Sequence, residues 1–219
     1  MSTQSTAIPS SPVSPIKSEP GVAELCTSLL PSGPAGGILT KYFHEQKLSI
    51  SVRPVSVADD VPILYKWMSH EYAGPLLDRP QHPREMEEFY NSMIESDFAQ
   101  PFMGLVNDTP VCQMDVYKAK QDAISLYYEA RPGDYGLQLV VAPMTAQENM
   151  VLLLRTCLEY FFSFHEVGRV VTDVEVKNEW SNHLFKAVGF QHTQEIRIPH
   201  KNANLYICTR ESFRQANGS

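Results

Sequence analysis

The sequence predicts an α/β fold with a mixed central sheet and helices on both faces. Three observations carry that prediction. Strand and helix patterns run in the order strand, two helices, three or more strands, helix, strand, helix, strand pair, which is not the regular alternation of a doubly wound parallel sheet. The 219 residues, 43% of them hydrophobic, suit one domain with an ordinary core plus a tail. No internal repeat appears at solenoid periods.

Residues 1–36 are rich in Ser, Pro, Thr and Gly and bury too little apolar surface to offset the entropy of ordering them. They are expected to form a disordered tail ahead of a domain spanning 37–219, with Val22 to Leu30 as a short segment able to dock as a helix turn. "GILTKYFHEQKLSISVRPV" reads as two strands around a turn near His44 to Lys47. In "SVADDVPILYKWMSH", Ser56 is a helix N-cap candidate, and Val61, Leu64, Trp67 and Met68 recur at helical spacing. "HPREMEEFYNSMIESD" is a second helix, acidic in its first turn after Pro83, as the helix dipole favours. "QPFMGLVND" and "PVCQMDVYKA" form a strand pair joined by a turn at Asn107 to Pro110. The run from Leu137 to Ala142 follows a Pro-Gly-Asp turn signal and reads as a further strand. "AQENMVLLLRTCLEYFFSF" is a strongly apolar helix, with Val151, Leu154, Leu158, Phe161 and Phe162 expected on its buried side. "GRVVTDVEV" is a strand, "NEWSNHLFKAVGF" a short helix ending at Gly189, and "QHTQEIRI" with "NANLYICTR" a closing hairpin.

Composition narrows the function. The formal charge is −7 and no Lys/Arg cluster interrupts it, so nucleic acid is not an expected partner, whereas a small cationic or amine substrate suits the sign. No apolar run reaches the ~20 residues a membrane span needs, and the first residues lack a basic-then-apolar leader, so a cytoplasmic protein is expected, as monomer or homodimer. Cys26, Cys112, Cys157 and Cys208 are scattered without ligand spacing and read as buried structural thiols. The seven histidines show no H-E-x-x-H or comparable spacing, and no metal is expected.

One residue breaks the apolar strand after the Pro-Gly-Asp turn: Gln138. Either it lies at a strand end in solvent, or it faces a cleft where a substrate sits. The surrounding residues resemble a known family. "VVTDVEVKNEWSNHLFKAVGF" is similar to the strand–Asn–helix–Gly-Phe ending of the GNAT superfamily of acyl-CoA-dependent N-acyltransferases. "QMDVYKAKQDAISLYYEARPGDYGLQLVVA" resembles one branch of it, the enzymes that acylate N-hydroxylated amines in hydroxamate siderophore biosynthesis. That branch carries an acidic residue and Tyr on one strand, then Tyr-Tyr-x-Ala-x-Pro-x-Asp-x-Gly-Leu-His. "YKWMSHEYA" is similar to its early Trp-Met-Asn-x-Pro-His segment. Aminoglycoside N-acetyltransferases share the Asp-x-x-x-x-Asn segment but lack the Tyr-Tyr…Asp-x-Gly stretch.

The resemblance implies a GNAT fold, an acyl-CoA co-substrate and a small N-hydroxy amine acceptor. It implies that acyl-CoA runs along Leu139, Val140 and Val141, contacts Asn178 with its pantetheine arm, and sets its phosphates at Gln147, Glu148, Asn149 and Met150. Catalytic positions implied are Asp173, Gln138 and Asp134, with Trp67, His70, Asp115 and Tyr128 around the acceptor. For Asp134 a turn-forming role competes with catalysis, for Asp173 a capping role, and for Asn178 a helix N-cap compatible with the pantetheine contact. Three departures stand out. The branch histidine is Gln138, the superfamily's glycine-containing phosphate loop aligns with "TAQENMV", and the tyrosine that many members use as general acid is Phe185. Phosphate-binding donors are main-chain N–H groups at a helix N-terminus, so a glycine-free loop weakens the site without removing it, provided Glu148 turns outward. An alkylhydroxylamine is largely neutral at pH 7, so loss of a strong base is more tolerable here than with a primary amine.

Overall fold

The computed structural model describes residues 39–68, 82–143, 145–199 and 201–218. The expected tail, with Cys26 and the Val22 to Leu30 segment, and the acceptor candidate His70 lie outside them. Eight strands form one sheet: β1 (Leu39–Phe43), β2 (Leu48–Pro54), β3 (Ala99–Val106), β4 (Thr109–Lys118), β5 (Asp134–Val141), β6 (Arg169–Glu175), β7 (Gln191–Ile198) and β8 (Lys201–Thr209). Their spatial order is β1-β2-β3-β4-β5-β6-β8-β7. Among the described residues five α-helices accompany the sheet: α1 (Val57–Met68), α2 (Pro83–Glu95), α3 (Gln147–Phe161), α4 (Glu179–Ala187) and α5 (Arg210–Asn217).

Short turns make most neighbours antiparallel. Asn107 and Asp108 both have positive φ, 47° and 61°, the combination a tight β3–β4 hairpin demands. β5 and β6 are the parallel pair, because α3 carries the chain back across one face before β6 begins. Their pairing is brief: Asp134, Tyr135 and Gly136 meet Arg169, Val170 and Val171, and there it stops. Beyond it β5 stays paired with β4 as far as Val141, and β6 stays paired with β8 as far as Glu175. The sheet therefore opens like a V between the C-terminal halves of β5 and β6.

Side-chain alternation sorts the two faces. Tyr135 and Leu137 of β5 and Val170 and Val174 of β6 join one large apolar cluster with α3, α4 and Phe213 of α5. Val140 packs on the other face with Trp67, Leu64, Met86 and Tyr90 of α1 and α2. Val171 lies on that same face with Tyr117, Ile196 and Leu205. On α3 the buried residues are Met150, Leu153, Leu154, Thr156, Cys157 and Leu158, while the expected Val151 and Phe161 flank the contact half-buried. Cys112, Cys157 and Cys208 are buried. Ser56 does not cap α1 in the expected way: its hydroxyl donates to Asp59, and buried Asp60 takes the Ser56 N–H and both Arg53 guanidinium nitrogens.

Candidate functional site

Where β5 leaves β6, the face covered by α1 and α2 carries a polar strip inside an otherwise apolar layer. β4 and β5 pair Gln113 with Val140, Asp115 with Gln138 and Tyr117 with Gly136. Directly paired residues share a face, so Gln113, Asp115, Tyr117 and Gln138 line up together. Period 2 on β6 adds Asp173 beside Val171. Gln113 and Asp115 are buried, and the Gln113 amide donates to Asp115 Oδ1 at 2.5 Å. Gln138 is exposed, the strip's outermost member. Asp173 is half-buried with Lys201 Nζ 2.7 Å from its Oδ2; the alignment is too poor for a hydrogen bond, so the contact is an ion pair. Lys201 also lines a cavity of roughly 430 Å³ beyond the end of β6, walled by Glu175, Lys177, Glu195 and Arg197.

Gly136 is required by close approach. A Cβ there would sit 2.0 Å from Tyr117 Cζ, so the phenol ring lies flat across the β5 backbone at the apex of the V. Burial pushes the Tyr117 hydroxyl well above its ordinary pKa, and the carboxylates of Asp122, Asp173 and Asp115 push the same way. It is a neutral O–H donor at physiological pH.

Asp134 and Tyr128 belong to a different assembly. Asp134 begins β5, about 13 Å along the strand from Gln138. It is 4% exposed and accepts from Arg169 Nε at 2.7 Å, Arg169 Nη2 at 2.6 Å, the Arg131 N–H at 2.9 Å and the Tyr128 hydroxyl at 3.1 Å. Four donors use the lone pairs a carboxylate offers. The Tyr128 ring stacks under the Arg169 guanidinium, 5.6 Å from its centroid. This arrangement matches the turn-forming alternative for Asp134 and turns Tyr128 toward the anchor.

On the helix side of the V, α3 starts with Ala146 as N-cap and no side-chain cap, so its first N–H groups carry no side-chain acceptor. Gln147 Nε2 donates to Trp180 O at 3.3 Å, tying this helix start to α4. Glu148 is exposed, the outward orientation a phosphate site needs. Met150 differs from expectation. Its N–H already closes the helix on Ala146 O, and its side chain is fully buried in the core, so it offers a phosphate nothing. Leu139 and Val141 are half-buried on the α3 side of the V, and Val140 is buried on the other. Asn178 caps α4, its Oδ1 accepting from Ser181 N at 3.0 Å at the mouth of the V. Phe185 is core, its ring edge-on to Phe190 at 5.0 Å. Trp67 packs against the α1–α2 layer, 9% exposed. Sequence reading missed Asn182, buried on α4, which donates to Glu175 O at 2.9 Å and Asn178 O at 2.7 Å and accepts from Asn204 Nδ2 and Tyr206 Oη at 2.8 Å each. Its partners Asn204 and Tyr206 lie 22 and 24 residues away, so no local pattern marks it as the hub.

A mixed sheet split between two parallel strands, with a bare helix start facing the split, is the architecture that the sequence resemblance implies for an acyl-CoA-dependent transferase. Comparison with known proteins agrees. Residues 56–198 match the acetyltransferase (GNAT) domain, and the chain belongs to that family. Membership fixes the reaction class as acyl transfer from an acyl-CoA donor. The chain is 23% identical over 177 residues to an N-hydroxyputrescine acetyltransferase of Acinetobacter baumannii, covering 80% of this chain and 85% of that protein. It is 22% identical over 186 residues to an N(6)-hydroxylysine O-acetyltransferase of Escherichia coli, covering 84% of this chain but 59% of that protein's length. Among solved structures, an uncharacterised protein from Bacillus halodurans superposes with a TM-score of 0.74 at 25% identity, covering 81% and 93% of the two chains. An aminoglycoside acetyltransferase, AAC(6')-Ib, solved with paromomycin and acetyl-CoA, superposes at 0.65 and 19% identity, over 76% and 96%. Among the described residues no His, Cys, Asp and Glu cluster could hold a metal ion, and no helix is long and apolar enough to cross a membrane.

Proposed function

We propose that this enzyme transfers an acetyl or other short acyl group from acyl-CoA to the hydroxylamine nitrogen of an N-hydroxylated amino acid or diamine, giving a hydroxamate of the kind used in siderophores. The observation that carries this reading is the polar strip Gln113–Asp115–Gln138 with Tyr117 and Asp173, set on one sheet face where β5 and β6 part. The relatives named for N-hydroxyputrescine and N(6)-hydroxylysine support the acceptor class.

Acyl-CoA fits the V with its pantetheine arm between Leu139–Val141 and Asn178, and its phosphates at the N–H groups of Gln147, Glu148 and Asn149. The acceptor enters from the face of α1 and α2, past Trp67 and over Asp115. Its neutral nitrogen attacks the thioester carbon while Gln138 orients the N–OH group. As the C–N bond forms and the C–S bond breaks, the nitrogen's proton passes to Asp173 and from there to the departing thiolate, leaving free CoA. With a buried Phe185 in place of the usual tyrosine, no phenol on α4 supplies that proton. Asp134 and Tyr128 anchor the start of β5 and do not touch substrate in this scheme.

The test is acetyl-CoA with N-hydroxyputrescine, N(6)-hydroxylysine and their non-hydroxylated parents, following free CoA thiol. Faster turnover on the N-hydroxy compounds is expected. Turnover on an aminoglycoside and not on these would move the acceptor to the class that AAC(6')-Ib acts on, and turnover on none would end the assignment.

A further inference from the structure

Five consecutive residues at the mouth of the V, Glu175 to Glu179, are exposed, so no apolar anchor fixes the loop that leads from β6 into α4. Its backbone is nevertheless closed from below. Val176 N–H donates to Asn202 O, Asn178 N–H to Glu175 O and Asn182 N–H to Asn178 O, each at 3.0 Å. The Asn182 side chain, on a residue 7% exposed, adds bonds from its Nδ2 to Glu175 O at 2.9 Å and Asn178 O at 2.7 Å, the two ends of that turn. Its orientation is imposed from β8. Asn204 Nδ2 and the Tyr206 hydroxyl both donate to Asn182 Oδ1 at 2.8 Å. A flipped amide would set its NH2 group against that of Asn204 and its oxygen against the loop carbonyls, leaving buried groups unpaired. β8 therefore dictates, through Asn182, where the loop lies.

Asn178 is the residue this loop presents to the V. Its Oδ1 is spent on the Ser181 N–H at 3.0 Å, so its Nδ2 is the side-chain group it still has to offer a ligand. Resting on the reading that Asn178 meets the pantetheine arm, we propose that Asn182 is a positioning residue for the acyl-CoA donor. Buried beneath the loop, it sets the height and orientation of the Asn178 amide, and so the affinity for the arm. It acts through Asn178 and not on the reacting atoms. The phosphate end of the donor sits elsewhere in this complex, at the start of α3, which Met150, Leu153, Leu154 and Leu158 anchor in the core. The two ends of one ligand therefore respond differently to the loss of Asn182.

The experiment measures Kd by calorimetric titration for acetyl-CoA and for 3′-phospho-ADP, the nucleotide end of CoA without its arm. The proteins are the full chain as wild type, Asn182→Ala, Tyr206→Phe, Asn178→Ser, and Asn178→Ser combined with Asn182→Ala. Asn178→Ser keeps a helix-capping oxygen and removes the amide nitrogen. Asn182→Ala is expected to weaken acetyl-CoA about tenfold, the scale of one misplaced hydrogen bond, and to leave the nucleotide within about twofold of the wild type. Tyr206→Phe removes one of the two donors to Oδ1 and is expected to weaken acetyl-CoA about threefold with the same selectivity. It decides the question should Asn182→Ala fail to fold. In the Asn178→Ser background, Asn182→Ala is expected to add little, because it acts through the group already removed. Weaker acetyl-CoA binding in Asn178→Ser, with wild-type binding in Asn182→Ala and Tyr206→Phe, overturns the clamp and leaves the Asn178 contact standing. Equal weakening of acetyl-CoA and the nucleotide shows a general loosening of the fold and also overturns the clamp. Undiminished acetyl-CoA binding in Asn178→Ser overturns the contact and the clamp together.

Discussion

Gln138 stands directly across from Asp115 and is exposed while its neighbours in the strip are buried. An exposed amide at that place can orient a bound N–OH group but is a poor proton acceptor. Replacing it with His is therefore expected to keep or raise turnover, and Gln138→Ala to lower it about tenfold, the scale of one positioning hydrogen bond. Asp173→Asn is expected to lower kcat by roughly 10² to 10⁴ and to flatten the pH–rate profile, as removal of a proton acceptor would. Steady-state rates for the three variants, with acyl-CoA affinity measured alongside, check this. Full activity in both Gln138→Ala and Asp173→Asn with the donor still bound would place the chemistry elsewhere. The polar break at Gln138 was legible in the sequence because a lone amide interrupts an apolar strand. The ion pair of Asp134 was not, because its partner, Arg169, lies 35 residues away, and so the sequence left the turn-forming and catalytic readings of Asp134 side by side.

At the scale of elements, periodicity revealed the eight strands and four of the five α-helices among the described residues, since each shows its 2.0 or 3.6 repeat locally. α5 left no such mark. Its capping box joins Thr209 to Ser212, with Ser where the recognisable pattern has Glu or Gln, and Phe213 is its one large apolar anchor. The junction of β6, α4 and β8 depended on a residue that pattern reading passes over. Asn182 ties the carbonyls at the end of β6 to the Asn204 amide and the Tyr206 hydroxyl, the latter on a fully buried ring. Asn182→Ala strands these groups and is expected to destabilise the fold by on the order of 3 kcal/mol. A urea titration reads this as a lower midpoint at unchanged slope. A midpoint equal to that of the wild type would show that water replaces the side chain without penalty.

Across the whole molecule, buried neutral acids set an alkaline limit. Burial pushes the Cys208 thiol up to about 12 from an ordinary 9.0, and raises Cys112 and Tyr117 in the same direction. A folded-state pKa above the unfolded one means that the native state holds its proton longer. The stability is therefore complete below about pH 9 and declines as pH climbs toward about 12. Melting temperatures from pH 8 to 11 are expected to fall through this window, with a shallower fall in Cys208→Ala, and a flat profile would contradict the burial argument. The brief contact between β5 and β6 has a consequence of its own. It joins two antiparallel blocks, β1 to β5 and β6 with β8 and β7, through three residue pairs, so this seam is the thinnest line in the sheet's ladder. Native-state amide exchange would register it as the first part of the sheet's interior to open. Acyl-CoA bound in the V as proposed would touch both blocks, so its addition is expected to slow exchange along both lips at once.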